Sequence, residues 1–385
     1  MSARPVLLIL TGSFGHGHNS AARNLEAAFT HLLGDQVEIE VIDYFSHVHP
    51  RVIPLLQKGY AFAINHAPMI WRLLYRFGDL RNSSTFGYRS TAKQLKRFLE
   101  DRKPAIVVST FPPNSILFEL AFTKASDRPF HLSTVITDSI SISAMWSRGQ
   151  SDLLFVTDEE SKRIVMQQEG VQEAKIRALG FPIPFTMHSQ ASALQPPDQV
   201  RPKILYLPTT KNTHVKRTLD QLASWVRDHD AEITIVLGQH EARLTGVLQS
   251  LHDGLPANRV TVHGWISNLP QLMTEHHLVL TKAGGASVSE ALGAQCPLII
   301  NYVVPGQEEG NAQLVLQSGC GRRIHNPDEL PEALTQTLIE SDAATWHRYR
   351  AHLSDLDRAT ASLRIAEDII NDSNLSSKKA TASCL

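Results

Sequence analysis

Short aliphatic and β-branched runs alternate with helical stretches twice along the chain, and this double alternation limits the fold more than any motif does. In the first series Val6 to Leu10, Val37 to Ile42, Ala105 to Ser109, His131 to Thr137 and Leu153 to Thr157 read as strands. Ser20 to Leu33 reads as a helix with Leu25, Phe29, Leu32 and Leu33 on one face. The segment Phe181 to Pro202 then holds five prolines among polar residues and no periodic pattern, as a linker does. A second series follows at Lys203 to Leu207, Ile233 to Leu237, Val260 to Val262, Leu278 to Leu280 and Leu298 to Asn301. Strand–helix alternation implies a parallel sheet with helices on both faces. The chain's 385 residues also exceed the usual size of one core. The expected fold is therefore α/β, with two doubly wound Rossmann-like parallel-sheet domains at 1–185 and 203–343 and a linker at 186–202. A terminal helix is expected at 344–370, and the polar stretch 371–385 reads as a disordered tail. Ligands in open α/β sheets bind beyond the carboxyl ends of the strands, which puts the expected site in the cleft between the domains.

Charge and composition weigh against several functions. Basic and acidic residues nearly cancel, 37 against 38, whereas a nucleic-acid binder normally carries a basic excess. Three cysteines, Cys296, Cys320 and Cys384, show no paired spacing and suit a reducing compartment better than a disulfide scaffold. Cys384 is one residue from the end, so it forms no prenylation box. The apolar run after Arg4 breaks at Gly12, too soon for a signal peptide, and is better read as a first buried strand. No segment reaches the ~18 apolar residues that span a bilayer, so any contact with a membrane is expected to be peripheral, and the protein cytoplasmic.

One stretch carries most of the chemistry. In Thr281-Lys-Ala-Gly-Gly-Ala-Ser-Val-Ser-Glu290 the small residues Gly284, Gly285, Ala286 and Ser287 open a helix. Bare backbone N–H groups and the positive end of the helix dipole there form an anion site that suits a diphosphate. Glu290 lies about a turn and a half further on, placed to accept from ribose hydroxyls. Gly306, Gln307, Glu308 and Asn311 follow the next strand, on a Pro-Gly turn, with donor and acceptor groups for a sugar ring. The plainer reading of the glycines alone is a turn joining strand to helix in any α/β domain.

The whole string, with Cys296-Pro-Leu-Ile-Ile and Pro305-Gly-Gln-Glu-Glu-Gly-Asn311, resembles the nucleotide-sugar half of the monogalactosyldiacylglycerol synthase and processive diacylglycerol glucosyltransferase family. These are lipid glycosyltransferases of the GT-B fold, related to the N-acetylglucosaminyltransferase that forms lipid II. The resemblance runs with gaps from about Val6 to about Ile324. It implies a UDP-sugar donor, a lipid acceptor, and a terminal helix that packs back on the first domain. It also implies that the uracil ring is held near His263-Gly-Trp-Ile-Ser-Asn268, where Gly264, Trp265 and Ile266 are the candidates. An aromatic at a strand end is equally a packing residue.

The loop Gly12-Ser-Phe-Gly-His-Gly-His-Asn-Ser20 leads from the first strand into the first helix. A histidine there has the right pKa to take a proton from a hydroxyl. The family's Gly-His before small residues matches Gly17-His18-Asn19-Ser20-Ala21-Ala22, which implies His18 as the base and Gly17 beside the donor. His16 is the competitor, and taken alone both are ordinary surface residues. Thr137-Asp138, followed by Trp146, resembles the family's Thr-Asp, histidine, tryptophan block, with Ser143 near the place of the family histidine. Asp138 can orient the base or the acceptor, or simply cap the next turn. In Leu207-Pro-Thr-Thr-Lys-Asn-Thr-His-Val-Lys216 the family's phosphate-approaching glycines are missing, and Thr209, Thr210 and Lys211 remain as hydroxyl and ammonium donors.

Tyr44 to Arg89 interleaves aromatic and aliphatic residues with Arg51, Lys58, Arg72, Arg76, Arg81 and Arg89. Such a pattern suits an interfacial helix on anionic lipid, with Trp71, Arg72, Tyr75, Arg76 and Trp146 as acceptor or membrane candidates. A buried helical hairpin with a basic edge fits the same composition. Asp228-His-Asp230 and Asp355-Leu-Asp357 have the Asp-x-Asp form of a metal pair but read as a solvated turn and a helix face. No metal and no cofactor are expected, since the helix at Gly285 and nearby donors meet the phosphate charge. The expected activity is inverting transfer of a hexose from UDP-glucose or UDP-galactose to diacylglycerol or a glycosyl-diacylglycerol. The alternatives are a UDP-N-acetylglucosamine transferase to another lipid, a UDP-sugar epimerase, and a non-catalytic UDP-sugar binder.

Overall fold

The computed structural model describes residues 4–14, 17–66, 87–189, 194–209, 211–238, 244, 255–305, 308–373 and 375, with the backbone alone at 60–66, 188, 189 and 257. The chain forms two compact units, Met1–Phe185 with Thr360–Leu385, and Thr186–Ala359.

The first unit runs β1 (Val6–Thr11), α1 (Gly17–Leu33), β2 (Glu38–Asp43), α2 (Tyr44–Val48), α3 (Ile53–His66), α4 (Tyr88–Arg102), β3 (Ile106–Ser109), α5 (Pro112–Ala121), β4 (His131–Val135), β5 (Leu153–Val156), α6 (Glu159–Glu169) and β6 (Ile176–Ala178). All six strands pair in parallel, in the order β2-β1-β3-β4-β5-β6. Helices cover both faces, so the central strands are apolar on both sides. Leu7 to Leu10 and Ile106 to Val108 are all buried. Leu7, Ile9 and Val108 meet Leu25 and Phe29 of α1 on one face, and Leu8, Leu10 and Val107 meet Leu95 and Phe118 on the other. Each fully buried aliphatic side chain of this kind contributes roughly 1.5–3 kcal/mol.

The second unit runs β7 (Lys203–Leu207), α7 (Asn212–Asp228), β8 (Glu232–Val236), β9 (Val260–His263), α8 (Leu269–Thr274), β10 (Leu278–Lys282), α9 (Gly285–Gly293), β11 (Leu298–Tyr302), α10 (Glu309–Gln317), β12 (Gly321–Arg323), α11 (Leu330–Leu338) and α12 (Glu340–Asp355). Its parallel sheet has the order β12-β11-β10-β7-β8-β9. In each sheet the chain first builds outward and then crosses back: the reversal lies between β1 and β3 in the first unit and between β7 and β10 in the second. Loops leaving the carboxyl ends of those strand pairs diverge, and open α/β sheets bind ligands in the crevice that results.

The structure departs from the sequence reading in three places. The strands β6 and β12 are additional, each three residues long and at an end of its sheet. The stretch read as a single terminal helix at 344–370 is two helices. The chain kinks at positive φ through Ser341, Asp342 and Ala343, continues as α12 to Asp355, turns at Asp357 (φ 43°), and begins α13 (Ala361–Asp372). Aspartate tolerates that left-handed turn better than most residues. α13 belongs to the first unit, where Ile365, Ala366, Ile369 and Ile370 join the core of β1 and α1. The third departure concerns the proline-rich segment. Within it, Gln195 O lies 2.9 Å from His277 Nε2 and Asp198 meets His347 at 3.2 Å, so the stretch 194–200 is fastened to the second unit. Most of the polar tail, 374 and 376–385, lies outside the described residues.

Candidate functional site

His18 stands in the first turn of α1, at the carboxyl end of the first sheet between β1 and β3. The elements around it fix it from several sides. Thr110, just past β3, donates its hydroxyl to the His18 carbonyl at 3.2 Å. Thr137, just past β4, places Oγ1 2.9 Å from His18 Nδ1. Phe111 meets the imidazole edge-on with ring centres 5.1 Å apart, and Trp146 meets it at 5.9 Å. This crowding strips water from the ring and lowers its pKa to about 4, against a smaller upward pull from the Thr110 backbone. His18 is therefore a neutral imidazole at pH 7.

The loop before His18 is tied down by short polar links. Thr11 donates to Asn19 Oδ1 (2.9 Å), Asn19 Nδ2 donates to Ser13 Oγ (3.1 Å), and the Ser13 N–H donates to Asp43 (3.1 Å). Asp43 also caps α2 through Ser46. Gly12 has no room for a side chain, because a Cβ there would stand 2.4–2.6 Å from the ring of Phe111. At Gly17, by contrast, a Cβ would meet nothing within 4 Å, which leaves that backbone open to a ligand. His16 lies outside the described residues.

Asp138 does not take the part that Thr137 takes. Its carboxylate accepts the indole N–H of Trp146 at 2.8 Å, while the neighbouring threonine meets the imidazole. Ser143, where the family histidine would fall, caps the turn at 144–147 that carries Trp146. Trp146 itself is 1% exposed, so it has no face to offer a bilayer. It stands beside the His18 ring, with ring centres 5.9 Å apart. The other acceptor candidates, Trp71, Arg72, Tyr75 and Arg76, lie outside the described residues. Next to that region, Val52, Leu55 and Leu56 are exposed, Leu55 at 71%. Among the described residues no helix is long and apolar enough to cross a membrane.

In the second unit Gly284 is the N-cap of α9 and lies at the reversal between β7 and β10. The β10–β11 register shifts between Thr281 and Lys282, and a shift of this kind re-aims the side chain that follows it. Lys282 pairs with Glu308, and its Nζ lies 3.2 Å from where a Cβ of Gly284 would be. An ammonium thus stands beside the positive end of α9. Lys282 was invisible as a site residue in the sequence, since its place follows from the bulge and the pairing with Glu308.

Glu308 and Asn311 are buried and already engaged. Glu308 Oε2 accepts the Val304 N–H at 3.0 Å, and Asn311 Nδ2 donates to the Ala283 carbonyl at 3.0 Å. Both brace the turn that carries Gly284 and Gly285. Glu290 is also buried, on the second turn of α9, whereas Ala286 and Ser287 keep part of their surface open. Gly306, Gln307 and Thr210 lie outside the described residues, and Thr209 is buried at the end of β7. Gly264 and Ile266 are half-buried after β9, and Trp265 is 64% exposed, so it is not a packing residue of this unit. Asp230, in the first Asp-x-Asp pair, is held by Arg201 (3.2 Å) and Arg259. Among the described residues no group of three or more His, Cys, Asp or Glu could hold a metal ion.

Comparison with known proteins follows this division. Residues 18–183 match the monogalactosyldiacylglycerol (MGDG) synthase family model, and residues 210–352 match the glycosyltransferase family 28 C-terminal domain. A processive diacylglycerol beta-glucosyltransferase of Bacillus cytotoxicus is 29% identical over 350 residues, 89% of this chain and 87% of that protein. The fold is shared with the glycotransferase of kitacinnamycin (TM-score 0.60, 13% identity, 96% of this chain and 99% of that one). It is shared also with the UDP-GlcNAc 2-epimerase of Neisseria meningitidis (TM-score 0.59, 14% identity, 95% and 100%). The chain has the GT-B fold and is similar, in its first half and in its second, to glycosyltransferases of the monogalactosyldiacylglycerol synthase and processive diacylglycerol glucosyltransferase family.

Proposed function

We propose that this enzyme is an inverting hexosyltransferase that moves glucose or galactose from its UDP-sugar to diacylglycerol or a glycosyl-diacylglycerol at a membrane surface. The observation that carries the reading is the neutral His18 imidazole, held by Thr110 and Thr137 at the ligand-binding end of the first sheet. An acceptor hydroxyl needs a group that takes its proton as it attacks, and a neutral imidazole serves as that base. In this mechanism the acceptor oxygen attacks the anomeric carbon from the face opposite the diphosphate. Its proton passes to His18, and the bond to UDP breaks with its electron pair on the phosphate oxygen. The charge on the departing UDP is met by the N-terminus of α9 at Gly284 and Gly285, with the Lys282 ammonium beside it. Glu290 is assigned to the ribose, and Glu308 with Asn311 shapes the hexose end of the donor site. No metal is given a step.

The name of the Bacillus cytotoxicus relative supports diacylglycerol as acceptor and glucose as one donor sugar. The exposed Val52, Leu55 and Leu56, flanked by Arg51 and Lys58, support a peripheral seat on anionic lipid. The deciding experiment is His18→Ala, assayed with UDP-glucose and UDP-galactose against diacylglycerol in vesicles, with UDP binding measured alongside. Transfer is expected to fall by a factor of about 10²–10⁴ with UDP binding intact; full transfer by the variant would refute the mechanism. The wild-type enzyme should release UDP only when lipid acceptor is present, whereas an epimerase converts the sugar with no acceptor.

A further inference from the structure

We propose that Thr137 is a positioning residue for His18: its hydroxyl occupies Nδ1 and so reserves Nε2 as the nitrogen that takes the acceptor's proton. The inference rests on the reading of His18 as the base.

A neutral imidazole carries one N–H, and the nitrogen without it is the one that accepts. Which nitrogen that is depends on the partner of the other. The partner here is a hydroxyl, 2.9 Å from Nδ1. A hydroxyl can accept from an N–H or donate to a bare nitrogen, so Thr137 serves the ring in either tautomer. Only one tautomer does chemistry. With the proton on Nδ1 and donated to Thr137 Oγ1, the lone pair of Nε2 is available. When the acceptor's proton arrives there, both nitrogens carry N–H and Nδ1–H stays bonded to Thr137, so that hydrogen bond then stabilises an imidazolium. The oxygen keeps the electron pair it shared with that proton and forms the new bond to the sugar.

The surroundings make this arrangement stable. Thr137 is buried at the end of β4, where the Ile136 N–H donates to Phe155 O at 2.8 Å and fixes the backbone before it. The His18 main chain is held separately by Thr110. Phe111 and Trp146 wall the ring, so it cannot turn over to exchange its two nitrogens without displacing buried aromatics.

The test uses the full chain with ¹⁵N-labelled histidine, as wild type, Thr137→Val and Thr137→Ser, and assigns the His18 signals by their loss in His18→Gln. Wild type and Thr137→Ser should show protonated Nδ1 and bare Nε2. In Thr137→Val the two tautomers should mix, and kcat should fall about tenfold, the size of one lost hydrogen bond, with the donor KM unchanged. A protonated Nε2 in the wild type would overturn the proposal. So would wild-type nitrogen signals and wild-type kcat in Thr137→Val. Those outcomes leave His18 itself to its own test: if His18→Ala abolishes transfer while Thr137→Val is silent, the base assignment stands and this inference falls.

Discussion

Gly12→Ala adds a single methyl group, and the structure says where the damage goes. The new Cβ would stand 2.4 Å from Cδ1 of Phe111, 2.5 Å from Cγ and 2.6 Å from Cε1, against an ordinary contact of about 3.4–4 Å between carbons. Either the loop or the ring must therefore move by about 1 Å. The ring has little freedom, because Phe111 is buried, stacks on Phe14 at 5.7 Å, and meets Phe45 and His18 edge-on at 5.8 and 5.1 Å. Overpacking of this kind costs about 1–3 kcal/mol, and each aromatic contact that is lost adds about 0.5–1.5 kcal/mol. The expected destabilisation of the first unit is about 2–4 kcal/mol. Guanidinium unfolding, followed by hydrogen exchange of the β1 and β3 amides, measures it in that unit alone. The cause is isolated by adding Phe111→Leu, which opens the space. In the Gly12→Ala background that change should cost at least 1 kcal/mol less than in wild type, since groups in contact couple. Additive losses, within about 0.5 kcal/mol, would refute the steric account.

Two further outcomes concern pH. His18 has its folded pKa lowered to about 4, so the base form is complete above pH 5; kcat/KM should rise through about pH 4 and stay flat from pH 6 to 8, and an inflection near 6.5 would contradict the crowded pocket. His276 is likewise held neutral by burial, with its pKa lowered to about 4; its ring nitrogens meet the Leu272 carbonyl at 2.7 Å and the Thr234 hydroxyl at 2.8 Å. Between pH 6.5 and 4 the unfolded chain binds the proton and the folded chain refuses it, so stability present above pH 6.5 is lost on acidification, at about 1.4 kcal/mol per pH unit. Urea midpoints of wild type and His276→Asn across that range should diverge with this slope, and parallel curves would show that His276 is not held neutral.

The central strands were legible because parallel strands covered on both faces leave unbroken apolar runs, as Leu7-Leu8-Ile9-Leu10 does. β6 and β12 were not, since three residues such as Gly321-Arg322-Arg323 at the end of a sheet carry no pattern. The break at Asp357 was hidden for a similar reason: no glycine or proline marks it, and the left-handed turn falls on an aspartate inside a helical pattern. At the site, small residues opening a helix have a local signature and pointed to Gly284, whereas His18 was singled out by the family resemblance, since taken alone it reads as a surface residue. The partners of those residues come from other strands. That Thr137 rather than Asp138 meets His18, that Glu308 is spent on Lys282 and Val304, and that Gly12 makes room for Phe111 all depend on contacts between distant parts of the chain.

The helix Ala361–Asp372 has a consequence for the order in which the protein comes to be. It lies with Leu7, Ile9, Leu25 and Phe29 in one core, although more than three hundred residues separate them along the chain. The second unit is one uninterrupted length, Thr186–Ala359, and has all its strands in hand before that helix leaves the ribosome. The first unit must wait, with the part of its core that Ile365, Ile369 and Ile370 cover still open, through the synthesis of the entire second unit. During translation the unit that begins the chain is therefore the last to have its core completed, and a nascent chain stopped before Thr360 would hold a finished second half beside an unfinished first one.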